Sequence, residues 1–309
     1  MNDVYNLPSI DSNVRYYFFQ GNNWQIWEKP RGCMFVYICV FGAGAGGGGG
    51  NSGTNTNRYG AGGGSAGCSL YGLFPSSFLP DTLYVRPAAG GSGGNPAGNG
   101  SPGGVSYVSV RPDATAINVI CAARSGSGGG PANGIAGNMG QGPISETLGA
   151  NLGVMNFLNR DALTPTSQYT YQITGAAGGL PGFATASNIT TRHILTGGAG
   201  GGGSNSANQN ESGGIVQRET WTPFFNLVGG IDGGEINAPQ GLNPILIENN
   251  VRAMILQAAG GGGGAGNGTG VGGNGGNGGL SCGGGGGGAG VTGGRGGNGG
   301  NGFIMIISI

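Results

Sequence analysis

Between residues 258 and 302 the chain is almost entirely glycine, and the glycines follow a period. Gly272-Gly273-Asn274-Gly275-Gly276-Asn277-Gly278-Gly279-Leu280 is three Gly-Gly-X triplets, and Gly293-Gly294-Arg295-Gly296-Gly297-Asn298-Gly299-Gly300-Asn301 is three more. Glycine loses more conformational entropy on ordering than any other residue and brings no side chain to bury. An ordered tract must therefore draw its stability from backbone N–H and C=O groups, which all need partners once water is excluded. A left-handed extended helix with three residues per turn has no internal hydrogen bonds and turns those groups sideways. Neighbouring copies can then bond to one another, and only glycine permits the close lateral approach. At three residues per turn every X lies on one edge, so Asn274, Asn277, Arg295, Asn298 and Asn301 are expected to face outward while the glycine edges meet neighbours. An unbroken helix over residues 260–279 would reach about 60 Å.

A flexible linker shares such a composition, with 79 glycines in 309 residues. Collagen needs a single glycine every third residue with proline-rich partners, whereas here glycine comes in pairs and runs. The linker reading fails on what punctuates the tracts. Cys33–Phe41, Thr82–Arg86, Val105–Val110, Ile117–Cys121, Val251–Leu256 and Phe303–Ile309 are runs of β-branched and aromatic residues bounded by glycine. Such runs read as strands. The fold class expected is all-β: short β-strands and β-sandwich elements combined with a polyglycine II-type helix bundle, with very little α-helix. β-Meander loops are the structural alternative.

Composition shifts divide the chain. Residues 1–41 form an N-terminal aromatic β module, with Tyr16-Tyr17-Phe18-Phe19, Trp24 and Trp27 before a Pro30-Arg31-Gly32 turn. Residues 42–143 are a glycine-rich region interleaved with strands, and 144–174 an insert poorer in glycine. Residues 175–213 are glycine-rich again, 214–250 an aromatic insert, and 251–309 a polyglycine II region with a closing strand.

Charge excludes several functions. The 12 basic and 12 acidic side chains cancel, leaving no excess to neutralise phosphates, so no nucleic-acid partner is expected. No apolar run approaches the ~20 residues of a membrane span, and none is expected to insert. The first dozen residues are polar, with Asp3 and Asp11, so no signal peptide is expected.

Catalytic signals are sparse. His193 is the single histidine and Lys29 the single lysine, and Lys29 lies outside any phosphate-loop motif. Matches to GxGxxG arise by chance in this composition and open no βαβ unit. Cys33, Cys39, Cys68, Cys121 and Cys282 show no C-x-x-C pairing. Cys33 and Cys39 on one strand stand ~20 Å apart, beyond disulfide reach, so all five are expected as reduced thiols, mostly in the core. Clustered zinc ligands are missing. Asp232 and Glu235, with Asn237 nearby, could offer oxygen ligands to calcium, or simply lie in a solvated loop. The expectation is no catalytic residue, no metal and no cofactor. Recognition surfaces are expected instead, since loops on rigid scaffolds carry binding residues. Tyr169 and Tyr171 in one insert and Trp221, Phe224 and Phe225 in the other are the candidates for surface recognition.

Trp24-x-x-Trp27-x-Lys29-Pro30-x-Gly32, the apolar strand running into Gly42-Ala43-Gly44-Ala45-Gly46-Gly47, Phe78-Leu79-Pro80-Asp81-Thr82-Leu83-Tyr84-Val85 and the closing Gly299–Ile306 stretch resemble glycine-rich virion structural proteins of tailed phages. The triplets are also similar to the adhesin at the tail-fibre tip of T-even-type phages, whose fold is a polyglycine II bundle; that likeness covers the tracts alone. The resemblance implies a non-enzymatic virion protein, made in the host cytoplasm. It would be a tail-fibre or receptor-binding component forming a rigid appendage, a homotrimer by analogy. Its implied partners are its own copies, other virion proteins, and a host surface glycan or outer-membrane protein. A capsid decoration or head fibre is the alternative within that class, and an ice-binding polyglycine II protein the alternative outside it.

Overall fold

The computed structural model describes residues 14–54, 58–115, 117–132, 170–173, 189–191, 195, 197–204, 211–218 and 260–309, with the backbone alone for residues 170–173, 189–191 and 217–218. The strands are β1 (Arg15–Phe19), β2 (Gln25–Glu28), β3 (Phe35–Phe41), β4 (Ser69–Pro75), β5 (Thr82–Arg86), β6 (Ser106–Ser109), β7 (Val119–Ala123), β8 (Thr170–Ile173), β9 (Ile189–Thr191), β10 (Val216–Arg218) and β11 (Phe303–Ser308). Among the described residues the helical content is one 3-10 turn, Ser76–Phe78. Among the described residues the regular structure is mostly β, as the apolar runs between the glycine tracts lead one to expect. The expected strand at Val251–Leu256 lies outside the described residues.

Two antiparallel sheets carry the fold, one in the order β1-β11-β3-β4-β8 and one in the order β2-β5-β6-β7; β9 and β10 form a separate parallel pair. Alternation along the strands fixes which face is buried. Val36, Ile38 and Val40 of β3 and Ile304 and Ile306 of β11 meet Trp27, Leu83, Val85, Val108 and Ile120 of the other sheet in one core. Strands β1, β2 and β3 do not pair with one another: β1 pairs with β11, β2 with β5, and β3 with β4 and β11. The N-terminal aromatic segment is thus built into both sheets.

Six strand ends open into glycine tracts. Strands β3, β5 and β7 run out into residues 42–50, 87–97 and 124–132, and β4, β6 and β11 are entered from residues 59–68, 98–105 and 292–302. The antiparallel pairings place these ends together on one side of each sheet. Ser106 ties the junction: its buried hydroxyl donates to the Phe41 carbonyl at 2.7 Å and accepts from the Ala88 N–H at 3.0 Å.

Beyond the junction the tracts are held by backbone hydrogen bonds between segments. The N–H groups of residues 42–50 rotate through three partners with a period of three. Gly42, Ala45 and Gly48 donate to Cys68, Ser65 and Gly62; Ala43, Gly46 and Gly49 to Gly104, Ser101 and Gly98; Gly44, Gly47 and Gly50 to Gly300, Gly297 and Gly294. The carbonyls of the same segment accept from residues 91–97, 129–132 and 284–287 with the same period. It is therefore surrounded by six segments, some parallel to it and some antiparallel.

Residues 281–290 are enclosed in the same way. Within them, residues 284–289 donate to residues 45–48, 199–202 and 273–276 and accept from residues 61–64, 264–267 and 294–297, while Ser281 and Cys282 donate to Asn301 and Gly279. Both central segments are buried throughout. An ideal Cβ on Gly47 would stand 2.0 Å from the Gly285 carbonyl oxygen, and one on Gly286 2.0 Å from that of Ala61. Packing this tight excludes any side chain at these positions.

One expectation fails. Residues 260–279 do not form a single rod of about 60 Å; the chain reverses at Asn267–Gly270. The Asn267 side-chain oxygen accepts from the N–H groups of Thr269 and Gly270 at 3.1 and 3.0 Å, a local turn that competes with continued extension. The return segment bonds antiparallel to the outgoing one, Gly273 to Ala265 and Gly276 to Gly262.

Candidate functional site

Three surfaces follow from this architecture. The first is the face of the glycine bundle that carries the triplet residues. Asn274, Arg295, Asn298 and Asn301 are exposed and Asn277 is half-buried, as their shared edge requires. The asparagines reach sideways. The side-chain oxygen of Asn274 accepts from the Arg295 N–H and that of Asn277 from the Asn298 N–H, each at 2.8 Å. The next row repeats the pattern, Asn298 accepting from Gly93 and Asn301 from Gly90, again at 2.8 Å. Each carboxamide supplies the acceptor that an outward backbone N–H lacks at the rim of the bundle. Sequence spacing placed these side chains on an edge; their capping of the next segment depends on chain reversals that spacing does not encode.

The second surface is the outer face of the five-stranded sheet. Near the bundle it is covered: Cys39, Phe41, Phe303 and Met305 pack with Ala66, Leu195 and Cys282. Phe41 and Phe303 stack at 4.0 Å between ring centroids, Phe18 stacks on Phe303, and Tyr71 meets Phe41 edge-on. Farther along, Tyr16, Phe35 and Leu73 remain exposed. Burial pushes the Cys39 thiol up to about 12, with a hydrogen bond to Tyr37 acting the other way. It also raises the Tyr37 and Tyr71 phenols and the Cys121 thiol. These groups stay protonated and inert at neutral pH, which suits packing and not nucleophilic chemistry.

The third surface is the outer face of the four-stranded sheet. Here the alternation that sends Leu83 and Val85 inward leaves Tyr84 and Arg86 half-buried on the outside. Arg86 lies opposite Tyr107 on β6. Its guanidinium carbon is 5.1 Å from the Trp24 ring centroid and 5.0 Å from that of Tyr107.

The Trp-Lys-Pro motif proves to be a clasp. Trp27 is in the core. The Lys29 ammonium donates to the Ser76 and Leu79 carbonyls at 3.1 and 2.8 Å and pairs with Asp81 at 3.0 Å, fastening β2 to the 3-10 turn. Gly32 has φ of 80°, a left-handed turn position that favours glycine.

Of the expected recognition residues, Tyr169, Trp221, Phe224 and Phe225 lie outside the described residues, as do His193, Asp232, Glu235 and Asn237. Tyr171 is placed by its backbone, on β8 opposite Tyr71. None of the five cysteines is in a disulfide; Cys33 is half-buried and the rest are buried. Among the described residues no group of three His, Cys, Asp or Glu side chains could hold a metal. No helix among them is long and apolar enough to cross a membrane. Sequence reasoning did not single out the Trp24, Arg86 and Tyr107 cluster. The usable signal was the inward-outward alternation of Thr82-Leu83-Tyr84-Val85-Arg86, which sets Tyr84 and Arg86 apart from the core. No protein-family model matches the chain, and no curated protein matches it.

Proposed function

We propose that the glycine tracts form a polyglycine II bundle capped by the two sheets. On this reading the molecule is a rigid, non-enzymatic appendage of a phage particle, a tail-fibre or receptor-binding component assembled as a homotrimer. Its partners are other virion proteins and a host surface glycan or outer-membrane protein. The observation that carries the reading is the threefold rotation of hydrogen bonds around residues 42–50 and 284–289, each surrounded by six segments. A three-residue helix with laterally directed amides produces that arrangement, and linkers or meander loops do not. The result is stiff along its length and bears few charges, 8% of residues. Stiffness suits a part that projects and makes contact; the scaffold places recognition groups at its faces.

Peptide mass spectrometry and quantitative gel densitometry of purified particles test this reading. The expected result is the chain in particles at a few copies each, localised by antibody labelling to the tail. Its absence from particles, or hundreds of copies over the capsid, overturns it.

A further inference from the structure

The outer face of the four-stranded sheet carries a cation held among aromatic rings. Continuing the β2–β5 register by one residue puts Trp24 beside Arg86, and Arg86 lies opposite Tyr107, so the three form one transverse row. The next row holds Ile26 opposite Tyr84. The Trp24 and Tyr107 rings lean together to 6.5 Å between centroids at 33°. Ile26 is 59% exposed, and Trp24, Tyr84, Arg86 and Tyr107 are each half-buried, so the rows open to solvent.

Arg86 is the informative member. Its described contacts are the two rings, and among the described residues no carboxylate pairs with it, the salt bridge there being Lys29–Asp81. A guanidinium presents N–H donors in a planar fork suited to a carboxylate, and stacking on aromatic faces fixes that fork in place. Tryptophan, tyrosine and arginine are also the residue types enriched where binding energy concentrates. An aromatic platform with a fixed cation and no internal counter-charge complements a ligand with an apolar ring face and a negative charge.

The geometry points to a binding patch for a carboxylate-bearing sugar. The Arg86 fork takes the carboxylate, and the Trp24, Tyr84 and Tyr107 rings take the C–H face of the pyranose. Neutral sugars satisfy the rings and leave Arg86 without its acceptor, so they bind less well. The patch deepens the host-contact reading proposed above and rests on it.

Isothermal titration of the purified full chain with trigalacturonate, sialyllactose and neutral maltotriose tests the assignment. At least one acidic sugar is expected to bind saturably and more tightly than maltotriose. Arg86→Gln should weaken that binding by about tenfold or more, as loss of a charge-assisted hydrogen-bond pair does. Trp24→Leu should weaken it comparably, while Arg31→Gln, an exposed arginine in a turn, should leave it unchanged. Circular dichroism and unchanged melting midpoints establish that the variants fold; if Trp24→Leu does not fold, Tyr107→Leu takes its place. The assignment is overturned if neither acidic sugar binds, if maltotriose binds equally well, or if Arg86→Gln binds like the parent chain. Those outcomes would leave the particle location standing, because mass spectrometry of virions reads that separately.

Discussion

A single methyl group separates a glycine enclosed by backbone from one with room to spare. Gly47→Ala drives a Cβ to 2.0 Å from the Gly285 carbonyl oxygen, backbone that cannot swing aside, whereas Gly53 has nothing within 4 Å of the same position. Gly47→Ala is expected to cost about 1–3 kcal/mol or more in denaturant unfolding, and Gly53→Ala to stay within about 0.5 kcal/mol of the parent. Ser106→Val, which strips partners from both the Phe41 carbonyl and the Ala88 N–H, should cost about 1–3 kcal/mol by the same measurement. The thiols give an independent reading. At pH 8 a thiol reagent should label Cys33 in the native chain and all five cysteines after denaturation, because the other four are buried. Asp113 supplies the pH dependence. Hydrogen bonds from Thr115 and Asn118 hold its carboxyl below the usual range, so the folded chain favours the ionised form. Its contribution is present above the ordinary aspartate pKa of 3.8 and is lost as pH falls through the lower folded value. Asp113→Asn should flatten that part of the stability profile.

Among the elements, the rims of the bundle raise the question of where a backbone lattice stops. Outward N–H groups on a peripheral tract could pair with another tract, much as an open sheet edge invites a strand. The asparagine rows occupy those donors at Arg295, Asn298, Gly93 and Gly90. Replacing Asn274, Asn277, Asn298 and Asn301 together by alanine should lower stability by about 0.5–1.5 kcal/mol for each of the lost bonds, and promote self-association visible by light scattering. The same rows illustrate what sequence conveys at this scale. A three-residue period and strands such as Thr82–Arg86 are local patterns, and they were readable. Strand β4 was not, because Gly72 and Pro75 interrupt its apolar run and its pairing with β3 supplies the missing bias. The reversal at Asn267–Gly270 was hidden for a similar reason: one asparagine turned an apparently continuous tract back on itself. For the candidate surfaces, alternation exposes Arg86, but which aromatic rings flank it depends on β2 and β6 meeting β5, which are distant in the chain.

For the whole molecule, two kinds of interior meet at one junction. In the sheets, side chains such as Trp27, Ile38 and Ile304 fill the core. In the bundle, buried main chain does that work, with hydrogen bonds of 2.8–2.9 Å from Gly44, Gly47 and Gly50 to their neighbours. The two interiors share strands without a linker, so they should unfold together, and the enclosed tracts should be as protected as the strands that feed them. Native-state amide hydrogen exchange reads this residue by residue. The account predicts that the N–H groups of residues 42–50 and 284–290 exchange as slowly as those of β3 and β11, through global unfolding alone. Exchange of those tracts within minutes, while β3 and β11 stay protected, would contradict it.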